Sequence, residues 1–214
     1  MTTSPTRDDG DLTVEAVVFD TDVDLDEITD GRQRRRLRNI ESVRRAILKL
    51  MVKRERIDLD AVASRAGVTV RSIYRYFPDL GSAVEDACQY RVAQIYALWD
   101  TFELPDPAAP LDERIERMLA QRIELEALGR PLRNRIMNES PDPRFDAEVI
   151  EVFEPELSRL SEADRVPTTA ALCFMLRPRG LRGILEFPQH DGLDARVLVE
   201  YSIRRLLEAD GSTA

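Results

Sequence analysis

The stretch "LDAVASRAGVTVRSIYRYFPDL" (residues 59–80) holds two short helices and the turn that joins them. Asp58 stands just before it, and an Asp in that position caps a helix start with its side-chain oxygen. Leu59, Val62, Ala63 and Ala66 recur at helical spacing and therefore share an inward face. Small Ala63 lets a partner helix approach closely. Gly67 supplies the left-handed backbone that closes a helix, and Thr69 caps the next one. Wound from Val70, the side chains sort by angle. Val70, Ile73 and Phe77 fall on one apolar stripe, Arg71, Ser72 and Arg75 point the other way, and Tyr74 and Tyr76 lie at the flanks. Pro78 stops this helix and Asp79 caps its successor. The spacing predicts helix, tight glycine turn, helix.

Working outward, residues 37–52 predict a preceding helix. Its stripe is Ile40, Val43, Ile47 and Leu50, and Arg44, Arg45, Lys49 and Lys53 lie on its other faces. Before it, "GRQRRRLR" (residues 31–38) reads as a basic arm. Residues 1–30 are acidic and bury too little to offset ordering entropy, except "TVEAVVFD" (residues 13–20), which is apolar enough for a short strand or a docking segment. After the turn, helices are expected at about 80–102, 111–128, 131–138, 144–160, 168–187 and 193–209. The Pro-rich "LPDPAAPLD" (residues 104–112) breaks the series. The expected fold is all-α. Residues 1–35 form an acidic then Arg-rich extension, residues 36–86 a three-helix unit whose helix-turn-helix lies at about 57–77, and residues 87–214 a larger helical domain.

The formal net charge of −9 conceals its distribution. Residues 1–30 hold ten acids and one Arg; residues 31–56 hold eleven Lys/Arg and two Glu. Extending the basic block to Tyr76 brings it to +10, while residues 87–214 hold 16 Arg against 23 acids. A strongly basic block between two acidic ones suits a polyanionic partner. Two cysteines, Cys88 and Cys173, are too few for a disulfide framework. The longest apolar run, "AALCFML" (residues 170–176), falls short of the ~20 residues that span a bilayer, and no signal-peptide pattern opens the chain. A cytoplasmic protein without membrane contact is expected. One histidine, His190, in a Pro/Gly-flanked loop offers little for acid–base or metal chemistry. No phosphate-binding glycine loop or nucleophile elbow is present. No cofactor and no catalysis are expected.

A glycine-turned helix pair with outward Arg and Tyr matches the unit in which one helix braces and the next enters the DNA major groove. Arg71, Ser72 and Arg75 then face base edges or phosphates. Tyr74 and Tyr76 are placed to hydrogen-bond phosphates, with Thr69 and Val70 at the helix start. The stretch "LDAVASRAGVTVRSIYRYFPDLGSAV" (residues 59–84) resembles the DNA-binding domain of the TetR family of bacterial transcriptional regulators. The matching residues are Ala63, then "AGV" at 66–68, the hydroxyl cap Thr69, the aliphatic–Tyr pair Ile73–Tyr74, and Tyr76–Phe77. The resemblance is specific over about a quarter of the chain. Elsewhere it is one of helical layout and length.

The resemblance implies a regulator, most simply a repressor, that binds a palindromic DNA operator as a homodimer and responds to a small-molecule effector. It implies dimerisation through the last two helices, at Leu172, Met175, Leu176, Val199, Ile203 and Leu206; the same side chains would equally serve packing inside one chain. It implies an effector among the middle helices, where Tyr96, Trp99, Phe102, Met118, Met137 and Phe153 line a pocket or simply form core. Leu80 departs from the family pattern, which has a phosphate-contacting Lys there, so one backbone contact is lost. Arg36 and Arg38 either compensate by contacting DNA or belong to a solvated tail. The alternative is a helical interaction protein, an antagonist or co-regulator, that kept the fold without DNA binding. Leu80 and the acidic extension favour it; Arg71, Arg75, Tyr74 and Tyr76 oppose it.

Overall fold

The computed structural model describes residues 30–132, 142–186 and 194–208. Among them every regular element is helical. The order is α1 (Gly31–Val52), α2 (Leu59–Ala66), α3 (Val70–Tyr76), α4 (Leu80–Trp99), α5 (Leu111–Gly129), a 3-10 turn (Arg130–Leu132), α6 (Pro143–Leu157), α7 (Glu162–Leu176), α8 (Pro178–Leu185) and α9 (Ala195–Leu207). No helix among the described residues is long and apolar enough to cross a membrane. The expected strand at 13–20 and most of the helix at 131–138 lie outside the described residues.

The first three junctions follow their caps. Asp58 accepts a hydrogen bond from the Ala61 amide at 2.9 Å, Thr69 from Ser72 at 3.1 Å and Asp79 from Ser82 at 2.7 Å. Gly67 takes φ 66° and ψ 31°, where a Cβ would be strained. Val43, Ala46, Ile47, Leu48 and Leu50 of α1 pack with Val62 and Ala63 of α2, Ile73 of α3, Phe77, and Ala83, Val84, Ala87 and Cys88 of α4. Leu80, at the start of α4, is half-buried against the same cluster. Leu132 joins it from the far end of α5. A boundary at residues 86/87 would therefore cut through α4 and through this core.

The body has a second core. Ile115, Met118 and Leu119 of α5 meet Val149, Val152, Phe153 and Leu157 of α6, Leu172, Cys173 and Leu176 of α7, Leu181 of α8, and Val199, Ile203 and Leu207 of α9. A smaller cluster of Leu98, Trp99, Leu125, Leu128 and Phe145 joins α4, α5 and α6.

Two expectations are corrected here. The arm at 31–38 is not separate from the first helix: α1 begins at Gly31, with Asp30 accepting from the Arg32 amide at 2.8 Å. The single helix expected at 168–187 is two. α7 starts at Glu162 under a Ser161 cap and runs through Pro167. It stops at Arg177 (φ −68°, ψ 150°) because Pro178 excludes the helical conformation before it. α8 then folds back so closely that a Cβ on Gly180 would sit 1.9 Å from the Phe174 carbonyl oxygen.

Candidate nucleic-acid interface

α3 is anchored by Ile73, which is fully buried, with Val70 and Phe77 beside it on the first core. Its opposite face carries Arg71, Tyr74 and Arg75, all exposed, Tyr74 at 52%. Thr69 and Ser72 are engaged in the cap: besides the amide contact, their hydroxyls lie 2.9 Å apart. Tyr76 is half-buried, and its phenol oxygen accepts from Asn39 Nδ2 at 3.0 Å and Arg75 Nη2 at 2.6 Å. The Arg75 guanidinium also lies 5.0 Å over the Tyr76 ring. With two lone pairs used, the phenol keeps its one O–H for donation. Desolvation raises the Tyr76 pKa, but the bonds from Asn39 and Arg75 and the positive charges of Arg75 and Arg35 outweigh it, and the phenol sits below its ordinary value.

That last fact locates Arg35. Asn39 ties α1 to α3, and Arg35 lies one helical turn before Asn39, with Arg32 and Arg36 on the same side. Arg38 lies about a quarter-turn round. All four are exposed, and none has a carboxylate partner among the described residues. The start of α1 and the outer face of α3 thus form one positively charged surface. The sequence singled out Arg36 and Arg38 here but missed Asn39; the i to i+4 spacing from Arg35 is the signal that would have found it.

Cations at the rest of the N-terminal unit divide. Lys49, Lys53 and Arg54 are exposed and carry no ion pair among the described residues. Arg44 grips Asp86 of α4 with two hydrogen bonds, at 2.7 and 3.0 Å, and lies 4.7 Å over Tyr90. Arg45 pairs with Glu41, Arg56 with Asp58 and Arg65 with Glu55.

In the body, arginines are cross-links. Arg114 is buried and donates to Glu156 at 2.5 and 2.8 Å and to the carbonyls of Val152 (2.7 Å) and Ala109 (2.8 Å). Arg122, also buried, pairs with Glu148 at 2.7 Å and lies 4.7 Å over Phe145. Burial pulls its pKa down against the Glu148 charge. Trp99 Nε1 donates to the same Glu148 at 2.8 Å, which ties α4 to α6. Arg182 holds Glu126 at 2.6 Å, and Arg177 holds Asp146 at 2.8 Å.

The described residues expected to line an effector pocket are divided between two apolar clusters and the surface. Met118 and Phe153 are fully buried in the second core, and Trp99 is packed on Phe145 with ring centroids 4.1 Å apart. Tyr96 is exposed and donates to Asp142 at 3.1 Å, Phe102 is half-buried, and Met137 lies outside the described residues. A groove of about 540 Å³ lies elsewhere, between α6 and α7, lined by Asp146, Ile150, Val166, Ala170, Cys173 and Phe174 among others.

Four of the six expected interface residues are corrected too. Leu172, Leu176, Val199 and Ile203 are buried inside a single chain, with Met175 and Leu206 half-buried on the same core. The large apolar side chains left exposed on α7 and α9 are Val166, Phe174, Val197 and Tyr201. Compared with family models, with curated proteins and with solved structures, the chain matches none.

Proposed function

We propose that the chain is a DNA-binding transcriptional regulator resembling the TetR family, most simply a repressor, acting in the cytoplasm as a homodimer on a palindromic operator and released by a small-molecule effector. In this reading α2 and α3 are the helix-turn-helix, and α1 completes the three-helix unit. The observation that carries it is the shared surface of α3 and the start of α1, where Arg71, Arg75 and Tyr74 are exposed beside Arg32, Arg35 and Arg36. Arg71 and Arg75 are assigned to base edges, where a bidentate contact to guanine discriminates by about 1–3 kcal/mol. Tyr74, Arg36 and Arg38 are assigned to phosphates, which set register without reading sequence. Thr69 and Ser72 act through the cap, by fixing the start of α3.

One seven-residue helix covers too little DNA for tight specific binding, so two copies are required, with half-sites about 34–36 Å apart. With Leu172, Leu176, Val199 and Ile203 inside the chain, the second copy is assigned to the exposed apolar side chains Val166, Phe174, Val197 and Tyr201. Effector control is supported by the double attachment of α4, to α1 through Arg44–Asp86 and to α6 through Trp99–Glu148. A shift of α6 on that attachment changes the α1–α3 unit's attitude. The coupling equals the effector's preference for one of the two states.

Selection from random duplex DNA tests the reading. An inverted repeat is expected to emerge. If a folded chain enriches no sequence, the protein is instead a helical antagonist or co-regulator that does not bind DNA. Phe174→Glu is expected to convert a dimer to monomers in light scattering and to weaken binding to the selected repeat. A dimer that survives this change removes α7 from the interface.

A further inference from the structure

The cationic surface faces a problem that the sequence itself answers. α1 has no acid in its first turn, yet Arg32, Arg35, Arg36 and Arg38 occupy its first two turns. A helix N-terminus carries the positive end of the backbone dipole, so cations there are unfavourable. No carboxylate among the described residues partners these four, and Arg71 on α3 has none either. The surface wants an anion. Residues 1–29, which lead directly into the α1 cap at Asp30, carry nine carboxylates and one Arg. Five of the nine, Asp20, Asp22, Asp24, Asp26 and Glu27, fall within the ten residues before Asp30.

Reach is sufficient. α1 has 22 residues and is about 33 Å long. Twenty-nine residues can reach about 100 Å at most, three times that length. Tethering gives such a segment an effective concentration of about 1 mM at the surface beside it. Electrostatic binding with a Kd of about 0.1 mM, typical of weak nonspecific polyanion contacts, would then cover the surface most of the time.

We infer that residues 1–29 dock on the surface formed by the start of α1 and by α3 of the same chain, and compete there with DNA. The acidic segment is a built-in polyanion that sets a threshold: a duplex must displace it, so every duplex that uses this surface is weakened by the same factor. The competition rests on the DNA-binding reading, whereas the docking itself does not. Because the contact is between exposed charges, it weakens as the screening length falls to about 3 Å at 1 M salt.

The experiment compares two full-length chains, the natural sequence and D20N/D22N/D24N/D26N/E27Q. Without DNA, backbone amide shifts are measured by NMR at 20 mM and 500 mM salt. Differences between the chains are expected at residues 32–38 and 71–76 at low salt, independent of protein concentration and absent at high salt. Differences confined to the neighbourhood of the substitutions would overturn the docking; differences that vanish on dilution would overturn its intrachain form. With a random-sequence 30-base-pair duplex, the variant is expected to bind about tenfold tighter at 50 mM salt, from the ratio of effective concentration to Kd above, and equally by 500 mM. Equal affinities at 50 mM would overturn the competition. If neither chain binds any duplex, the functional reading fails and the NMR comparison alone decides the docking.

Discussion

Arginine does opposite things at the two ends of this molecule. In the body, Arg114, Arg122, Arg177 and Arg182 reach across from one helix to another and end on Glu156, Glu148, Asp146 and Glu126. In the N-terminal unit, Arg32, Arg35, Arg36, Arg38 and Arg71 are exposed and meet no carboxylate among the described residues. Burying a guanidinium is costly unless a carboxylate and further acceptors meet it, and the body supplies them. Exposed cations cost little and hold the fold together little. The lesson is that net charge says less than neutralisation. The acidic body uses these arginines for cohesion, whereas the basic unit leaves Arg32, Arg35, Arg36, Arg38 and Arg71 without a carboxylate among the described residues.

That contrast can be broken by substitution. Arg114→Ala leaves Glu156 and the Val152 and Ala109 carbonyls without their partner, and a loss of about 3–5 kcal/mol is expected in urea unfolding. A loss under about 1 kcal/mol would mean that the body's arginines are as dispensable as the N-terminal ones. Arg71→Ala or Arg75→Ala is expected to leave stability within about 0.5 kcal/mol. Either change should weaken binding to the selected repeat by about 1–3 kcal/mol and relax preference at one position per half-site. A uniform loss over all sequences would reassign that arginine to phosphate.

The double variant Arg36→Ala/Arg38→Ala sharpens the comparison further. It is expected to flatten the dependence of log affinity on log salt by about 1.8 per chain, from about 0.9 for each phosphate contact, with sequence preference unchanged. An unchanged slope would leave these two as solvated surface. The smallest effect concerns Cys173, where burial and the nearby Asp146 charge raise the thiol pKa to about 11. A raised value means the thiolate is scarce below it, about one part in a thousand at pH 8. Alkylation at pH 8 is therefore expected to be slow in the folded chain and fast in urea. Rapid labelling of the native chain would show the α6–α7 groove to be open around it.

What was legible in the sequence tracks the range of the forces. The caps Asp58, Thr69 and Asp79 and the left-handed Gly67 act over three or four residues, and all stand where local chemistry puts them. The Arg177–Pro178 break was equally local but was masked by the continuous apolar pattern on either side. The start expected at 168 falls six residues late, because the Ser161 cap lies upstream and Pro167 is accommodated inside the helix. The basic run at 31–38 reads as an arm, yet Asp30 caps it and α1 begins at Gly31. Periodicity announced that Leu172, Leu176, Val199 and Ile203 face something apolar. It does not say whether that is the same chain or another, because the burial is alike. Arg114 and Arg122 follow the Met118 stripe of α5 at intervals of four, so their inward position was written in the spacing. Their partners lie 42 and 26 residues away, respectively, and were not.

Leu132 is a small feature with a wide consequence. It leaves the far end of α5 and plugs the core made by α1, α2, α3 and α4. The N-terminal unit is thus not a detachable module. Cut free at residue 86, it would lose the later turns of α4 and keep a hole the size of a leucine at its base. Whatever displaces the end of α5 also draws that plug, so a shift in the body loosens the N-terminal unit without a hinge.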